Sequence, residues 1–262
     1  MIINDELAVL TRAGSKYGIS FLNMLIKENL RPRLICIEKV TFNKRFKMAK
    51  FLSTKIGLFD SIRYNLKFWI KPLVRALTFG YLYPYPDYNK FSDNVVNVQD
   101  INSDLVVSAL KNNNISKVIL AQSGIIRKPI IKLKNKWIIN CHSGKTPMYR
   151  GVDCVRWSLF NGDEVYVTLH LIDSGIDTGK IIEQVKVPIY NDDTIKNIQA
   201  RADEICIKQL LKSVTMPEKV FRQAREVKKP RGKQYYLMPF KKVNQLMSKE
   251  REIISSFARI KN

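Results

Sequence analysis

The first forty residues constrain the fold most. "LAVLT" (Leu7–Thr11) is a short apolar, β-like run, and "RAGSKYGIS" supplies a loop with two glycines. "FLNMLIKENL" has the spacing of an amphipathic helix, and "RLICIEKV" reads as a second buried strand. Strand, loop, helix and strand in that order open a doubly wound α/β domain, because parallel neighbours need a crossover between them. The loop lacks the GxGxxG spacing, so a tightly held dinucleotide is not indicated. Arg12, Ser15 and Lys16 lie where a phosphate would meet the N-terminus of the following helix.

The rhythm breaks over residues 41–83. Between Lys44 and Arg75 stand nine basic residues and one acid, Asp60, interleaved with Phe, Leu, Ile and Trp69. This is a basic, amphipathic helical pattern, read either as a lid or packed insertion with a solvated basic face, or as a surface that rests on a membrane. "YPYPDYN" then predicts a proline-broken loop. The α/β order resumes with "NVVNVQD" as strand, Asn102 or Ser103 as cap, "DLVVSALKNNN" as helix and "KVILAQS" as buried strand. "WIIN" is a further strand ending at Asn140, and "VYVTLHLID" (Val165–Asp173) alternates like one. "KIIEQVKVPIY" continues as strand and "DTIKNIQARADEICIKQLLKSV" as helix. The segment from about Pro217 is basic and mixed, with "PRGKQYYLMPF" as loop plus strand.

Charge bears on partners. The excess of 45 Lys+Arg over 23 Asp+Glu favours anions: phosphorylated small molecules, nucleic acid or an acidic membrane face. The richness in Lys, Ile and Asn also fits an AT-rich coding sequence. Cys36, Cys141, Cys154 and Cys206 show neither CxxC spacing nor a His/Cys cluster, which predicts reduced thiols and no zinc site. No secretory pattern opens the sequence and no run approaches a membrane span, so a cytoplasmic protein is expected.

The candidate chemistry lies in "NCHSGKTPMYRG", directly after a buried strand. Asn140 and His142 stand just past the strand's end, where open α/β sheets bind ligands. "DSGIDTGKI" follows a later strand and brings Asp173 and Asp177 in a glycine-bearing turn. An amide, an imidazole and a carboxylate together suit acyl transfer: the first two donate to a developing oxyanion, and the third supports the histidine. No Ser or Cys nucleophile is needed if an amine attacks directly. His170, inside "VTLHL", is read as a packed core histidine. Trp137 and Trp157 are read as core residues, Asp173 as a turn former or a ligand contact, and Arg150 as a loop holder or a substrate contact.

"NCHSGKTPMYRG" followed by "VTLHLIDSGIDTGKIIEQ" resembles the folate-dependent formyltransferases, whose core shows Asn-x-His, Pro-x-Tyr/Trp-Arg-Gly, then Asp-x-Gly-x-Asp-Thr-Gly. The resemblance spans roughly Leu7 to Tyr190. It implies a Rossmann-like formyltransferase core in which Asn140 binds the formyl oxygen, His142 acts at the tetrahedral centre and Asp177 orients or charges His142. It implies N10-formyltetrahydrofolate as the donor and no metal. The pterin pocket would be built from the Ser123–Lys128 turn (Ser123, Gly124, Ile125, Ile126, Arg127) and the Asp173–Asp177 loop. Arg12, Lys16, Lys145 and Arg150 are the candidate substrate contacts.

Two departures from the pattern matter. Gly144-Lys145-Thr146 stands where members acting on initiator tRNA or the purine precursor have Ser-Leu-Leu. The resulting "HxGxxPxYRG" is similar to the branch that formylates nucleotide-linked amino sugars, which implies surface-polysaccharide synthesis such as O-antigen or lipopolysaccharide. Tyr166-Val167-Thr168 replaces the family's Gly-Val-Thr. Residues 191–262 are not expected to form the C-terminal barrel of roughly one hundred residues carried by the tRNA enzyme. The expected layout is a catalytic domain over 1–190, with the basic insertion at 41–83, and a helix plus small α/β extension over 191–262. A nucleotide sugar is the expected partner, nucleic acid is not, and peripheral membrane contact and a homodimer stay open. The alternatives are a formyltransferase for another amine, such as aminoacyl-tRNA or a small metabolite, and a non-catalytic basic binding module.

Overall fold

The computed structural model describes residues 2–66, 86–227 and 232–258. Lys67, Trp69, Lys71, Arg75 and the first three residues of "YPYPDYN" lie outside them.

The strand–helix–strand opening folds as expected. Strand β1 (Ile2–Arg12) is an interior strand of a seven-stranded sheet, and Leu7 to Thr11 are wholly buried because the strand has neighbours on both edges and helices on both faces. Helix α1 (Lys16–Lys27) starts where the Ser15 side chain accepts from the Gly18 N–H, and it turns Phe21, Leu22 and Leu25 inward. The rest of the sheet is β2 (Leu30–Glu38), β3 (Val95–Val98), β4 (Lys117–Ala121), β5 (Trp137–His142), β7 (Tyr166–Leu171) and β8 (Ile181–Lys186), in the order β3-β2-β1-β4-β5-β7-β8. The first five strands in that order are parallel, β7 pairs antiparallel with β5, and β8 pairs antiparallel with β7. A parallel pair, β6 (Tyr149–Gly151) with β9 (Lys233–Tyr235), stands apart from it.

Period-two alternation divides the core into two faces. Leu7, Val9, Ile119, Ile139, Cys141, Val167 and Leu169 meet α1 and the long helix α7 (Ile195–Thr215). Ala8, Leu10, Val118, Leu120 and Ile138 meet α4 (Asp104–Asn112) and the short α5 (Lys128–Ile131). Helices on both faces make the doubly wound class. The first core runs through residue 190: Ile198, Cys206, Leu210, Phe221, Met238, Leu246 and Ile254 all belong to it, so the C-terminal residues pack on the sheet itself. Its last pieces are α8 (Glu218–Arg222), α9 (Phe240–Ser248) and α10 (Glu250–Phe257).

The basic insertion is helical where it is described. Helix α2 (Phe42–Ile56) is capped by the Thr41 side chain, and after Gly57 a second helical stretch, α3, covers 58–66. All four cysteines are free and buried. Among the described residues no helix is long and apolar enough to cross a membrane.

Candidate active site

Chain order reverses at β1, which has β2 on one side and β4 on the other. In open α/β sheets the crevice outside the carboxyl ends of strands at such a point binds ligands. Two loops meet there. The loop after β1 is joined to the loop after β4 by Thr11 Oγ1 donating to the Ala121 carbonyl (2.8 Å) and Ser15 Oγ donating to Gln122 Oε1 (2.7 Å).

The next strand along carries the chemistry. Asn140 and His142 are two residues apart on β5 and therefore share a face, opposite the face of Cys141. The antiparallel register with β7 sets Asn140 across from His170 and His142 across from Thr168. The turn after β7 folds back over this face and places Asp177, in the left-handed backbone region, between the two histidines. Asp177 Oδ2 lies 3.5 Å from His142 Nδ1 and Oδ1 lies 3.6 Å from His170 Nε2, while Oδ2 also accepts from the Gly151 N–H at 2.8 Å. Asn140 Nδ2 is 3.2 Å from His170 Nε2.

Hydrogen-bond chemistry assigns the tautomers. A carbonyl only accepts, so His142 Nε2, 3.0 Å from the Tyr149 carbonyl, carries a proton. His170 Nδ1 likewise donates to the Leu171 carbonyl at 2.9 Å. Where His170 Nε2 is bare, it accepts from the Asn140 amide and fixes which way that amide points. Burial pulls the His142 pKa down; the Asp177 carboxylate opposes it without overcoming it. Burial alone pushes Asp177 up, but His142, His170 and the Gly151 N–H together hold its carboxyl well below the usual carboxylate range. At neutral pH the pair is an ionised Asp177 beside a neutral imidazole.

The loop after His142 is pinned from beneath. Thr168 Oγ1 donates to the Gly144 carbonyl (2.7 Å) and accepts from the Thr146 N–H (3.2 Å), and Gln184 Nε2 donates to the Thr146 carbonyl (2.7 Å). The threonine in the altered Tyr-Val-Thr triplet is thus the anchor of the loop. Gly144 is held by packing: a Cβ there would sit 2.5 Å from His142 Nε2, 2.8 Å from the Tyr149 carbonyl and 3.0 Å from Cys154 Cβ. Gly151, at φ +98°, lets β6 approach β9, where a Cβ would lie 2.2 Å from the Tyr235 carbonyl.

The other sequence candidates divide. Ser123, Gly124, Ile125, Ile126 and Arg127 form the loop after β4. Asn102 clamps this loop, donating from Nδ2 to the Ile125 carbonyl (2.9 Å) and accepting the Arg127 N–H at Oδ1 (2.7 Å). Among the described residues nothing accepts from the N–H groups of Gly124, Ile125 or Ile126. Asp173 is a turn former: its Oδ1 accepts from the Gly175 N–H (3.0 Å) and Thr178 Oγ1 (2.6 Å). Arg150 spans from the Ile176 carbonyl (3.4 Å) to the Gly232 carbonyl (3.5 Å), which makes it a loop holder. Arg12 directs Nε at Glu38. Lys16 and Lys145 are not brought to the cluster: Lys16 lines the groove between α1 and α7, on the far face of the sheet, and Lys145 Nζ lies over the Tyr166 ring at 4.3 Å.

Three contributors were hidden in the sequence. His170 is buried, as expected of a core histidine, but its Nε2 faces Asn140 and Asp177. Asn102 read only as an alternative to Ser103 for the cap of α4; Ser103 takes that position and frees Asn102 for the clamp. Glu38 is fully buried at the end of β2, where it accepts from Lys44 Nζ (2.5 Å) and the Ile101 N–H (3.1 Å); a Cβ on Gly124 would lie 2.7 Å from its Oε2. A single acid closing the apolar run "RLICIE" was the available signal.

Residues 88–214, which hold the Asn140, His142, His170 and Asp177 cluster and the loop after β4, match the sequence profile of the family described as formyl transferase. These residues carry a formyl transferase domain. A methionyl-tRNA formyltransferase of Prochlorococcus marinus is 26% identical over 204 residues, covering 78% of this chain and 54% of that protein. One of Thermodesulfovibrio yellowstonii is 28% identical over 98 residues, covering 37% of this chain and 32% of that protein. The chain therefore spans between about a third and about half the length of these curated relatives. A sugar N-formyltransferase from a Shewanella species superposes with a TM-score of 0.54 at 19% identity, covering 88% of this chain and 77% of that one. At that identity the likeness is one of fold: the formyl transferase domain sits in the same mixed, seven-stranded α/β architecture. Among the described residues, no group of three or more His, Cys, Asp or Glu is placed to hold a metal ion.

Proposed function

We propose that the protein transfers the formyl group of N10-formyltetrahydrofolate to the amine of a nucleotide-linked amino-deoxy sugar, in the synthesis of a surface polysaccharide. The observation that carries the reaction class is the ionised Asp177 held between His142 and His170, with the Asn140 amide on the same sheet face. The neutral amine attacks the formyl carbon, a C–N bond forms, and the carbonyl electron pair moves to oxygen. The Asn140 amide donates to that oxygen, and the charge of His142, once protonated, stabilises it electrostatically. The proton lost by the amine passes to the His142–Asp177 pair. Within the pair the imidazole is the stronger base, because Asp177 is held so low, and the carboxylate stabilises the imidazolium. Collapse breaks the bond to N10, which takes up a proton. Unpaired N–H groups of Gly124, Ile125 and Ile126 suit the amide-like edge of a pterin, and exposed Ile125 supplies apolar surface beside it.

The sugar acceptor rests on "HxGxxPxYRG", and the packing of Gly144 against His142 gives that glycine a second reason to be there. Methionyl-tRNA is the competing acceptor, favoured by the names of the sequence relatives. The test is a transfer assay with N10-formyltetrahydrofolate against a panel of nucleotide amino sugars, methionyl-tRNA and glycinamide ribonucleotide, read by mass. A gain of one formyl group on a nucleotide sugar alone is expected. Transfer to methionyl-tRNA alone would reassign the acceptor, and transfer to nothing would remove the reading.

His170 enters as a positioning residue. His170→Ala is expected to lower kcat by about ten- to a hundred-fold, the range in which an orienting partner matters. His170→Asn, which retains an acceptor, should recover part of the loss. Equal rates for the two variants would show that His170 only fills space.

A further inference from the structure

The α2–α3 hairpin plays no part in the proposed chemistry, yet it carries most of the large apolar side chains exposed among the described residues. Eight of the thirteen large apolar side chains exposed among the described residues fall within 42–66. On α3, Leu58, Phe59, Ile62 and Leu66 recur at the spacing of one helical stripe, and Phe59 is 89% exposed. On α2, Phe46 and Phe51 stand outward among cations.

The inner side of the hairpin is satisfied, so its orientation is set. Ser61 Oγ donates to the Ala49 carbonyl (2.9 Å), Tyr64 OH to the Met238 carbonyl (2.6 Å), and Asp60 accepts the Phe240 N–H (3.2 Å). Lys44 reaches inward to Glu38. The exposed charges that remain are Arg45, Lys47, Lys50, Lys55 and Arg63, and the segment's only acid, Asp60, is turned inward.

We propose that this outer face rests on an anionic lipid surface. Aliphatic and aromatic side chains enter the acyl boundary while lysine and arginine stems reach up to the headgroups. A second copy of the chain fits poorly, since pairing the face with itself doubles its cations and supplies no acid. A nucleic acid would use the cations but leave the Leu58–Leu66 stripe in water. Lys44 ties the hairpin to the carboxyl end of β2, the same end of the parallel strands at which His142 stands. The inference is independent of the formyl-transfer reading.

The test is flotation of the full chain with phosphatidylcholine vesicles, with and without phosphatidylglycerol. Binding is expected only with the anionic lipid and should weaken as salt is raised. Lys47→Glu with Lys50→Glu should weaken partitioning by more than about tenfold. Phe59→Ser with Ile62→Ser should also abolish flotation, with unchanged circular dichroism and thermal midpoint in each variant. Absence of flotation on anionic vesicles overturns the proposal, as does wild-type binding by both variants. A dimer that Phe59→Ser dissolves would assign the face to a second copy. RNA binding lost in the lysine variant but kept in Phe59→Ser would assign the cations to nucleic acid. Either result overturns the proposal.

Discussion

Replacing His142 by alanine is expected to lower formyl transfer by about 10²–10⁴-fold, the usual share of a positioned acid–base group, with little change in the folate dissociation constant. Asp177→Ala should fall in the same range. The double variant should lose little more than either single one, because the two side chains act as a unit across 3.5 Å. Wild-type turnover in either single variant would remove the mechanism; fully additive losses would remove the coupling. The pH dependence follows from the same geometry. The His142 pKa is depressed, so the active, neutral imidazole persists below the ordinary histidine range. The rate should be flat through neutrality and fall only in acid. Stability should move the same way. A depressed histidine pKa means that the unfolded chain binds the proton more readily, so acid favours unfolding. The depressed Asp177 pKa contributes stability that is present above the ordinary carboxylate pKa and lost as pH falls towards its folded value. Thermal midpoints measured from neutral to acid pH should drop less steeply for Asp177→Asn than for the wild type.

Gly144→Ala is expected to cost about ten- to a hundred-fold in kcat and about 1–3 kcal/mol in stability. The new methyl meets a buried ring nitrogen on one side and a backbone carbonyl on the other, so it has no flexible neighbour to displace. Relief requires His142 to leave the Tyr149 carbonyl, which ends the assignment of its proton. The check is kcat and the pH profile together with the melting midpoint. A variant with wild-type rate and profile would show that the loop can move without disturbing His142.

Much of this site was legible in the sequence because it is local. Asn140 and His142 follow the apolar run directly. The expected strand ends at Asn140, whereas β5 continues to His142, and two-residue alternation then puts both on one face. The glycine-bearing turn with Asp173 and Asp177 announced itself by composition. What escaped was set by register. His170 is 30 residues from Asn140, and only the antiparallel pairing of β7 with β5 makes them neighbours. A histidine flanked by leucines looks like core from the sequence, and by burial it is. Lys16 and Lys145 lie away from the cluster for the converse reason: their loops are at the right end of the sheet, but α1 covers the opposite face and Lys145 turns out over Tyr166.

The sequence by itself determined the doubly wound class and the helical start of the insertion, because periodicity and turn chemistry act over a few residues. It marked Asn140 and His142 at a strand's end and Asp173 and Asp177 in one turn, and the formyltransferase resemblance singled out Asp177. Only the tertiary structure decided the protonation pattern. Asp177 is ionised and His142 neutral because one turn, two strands and the Gly151 N–H converge in a buried place, and the electrostatics of a buried group depend on everything packed around it.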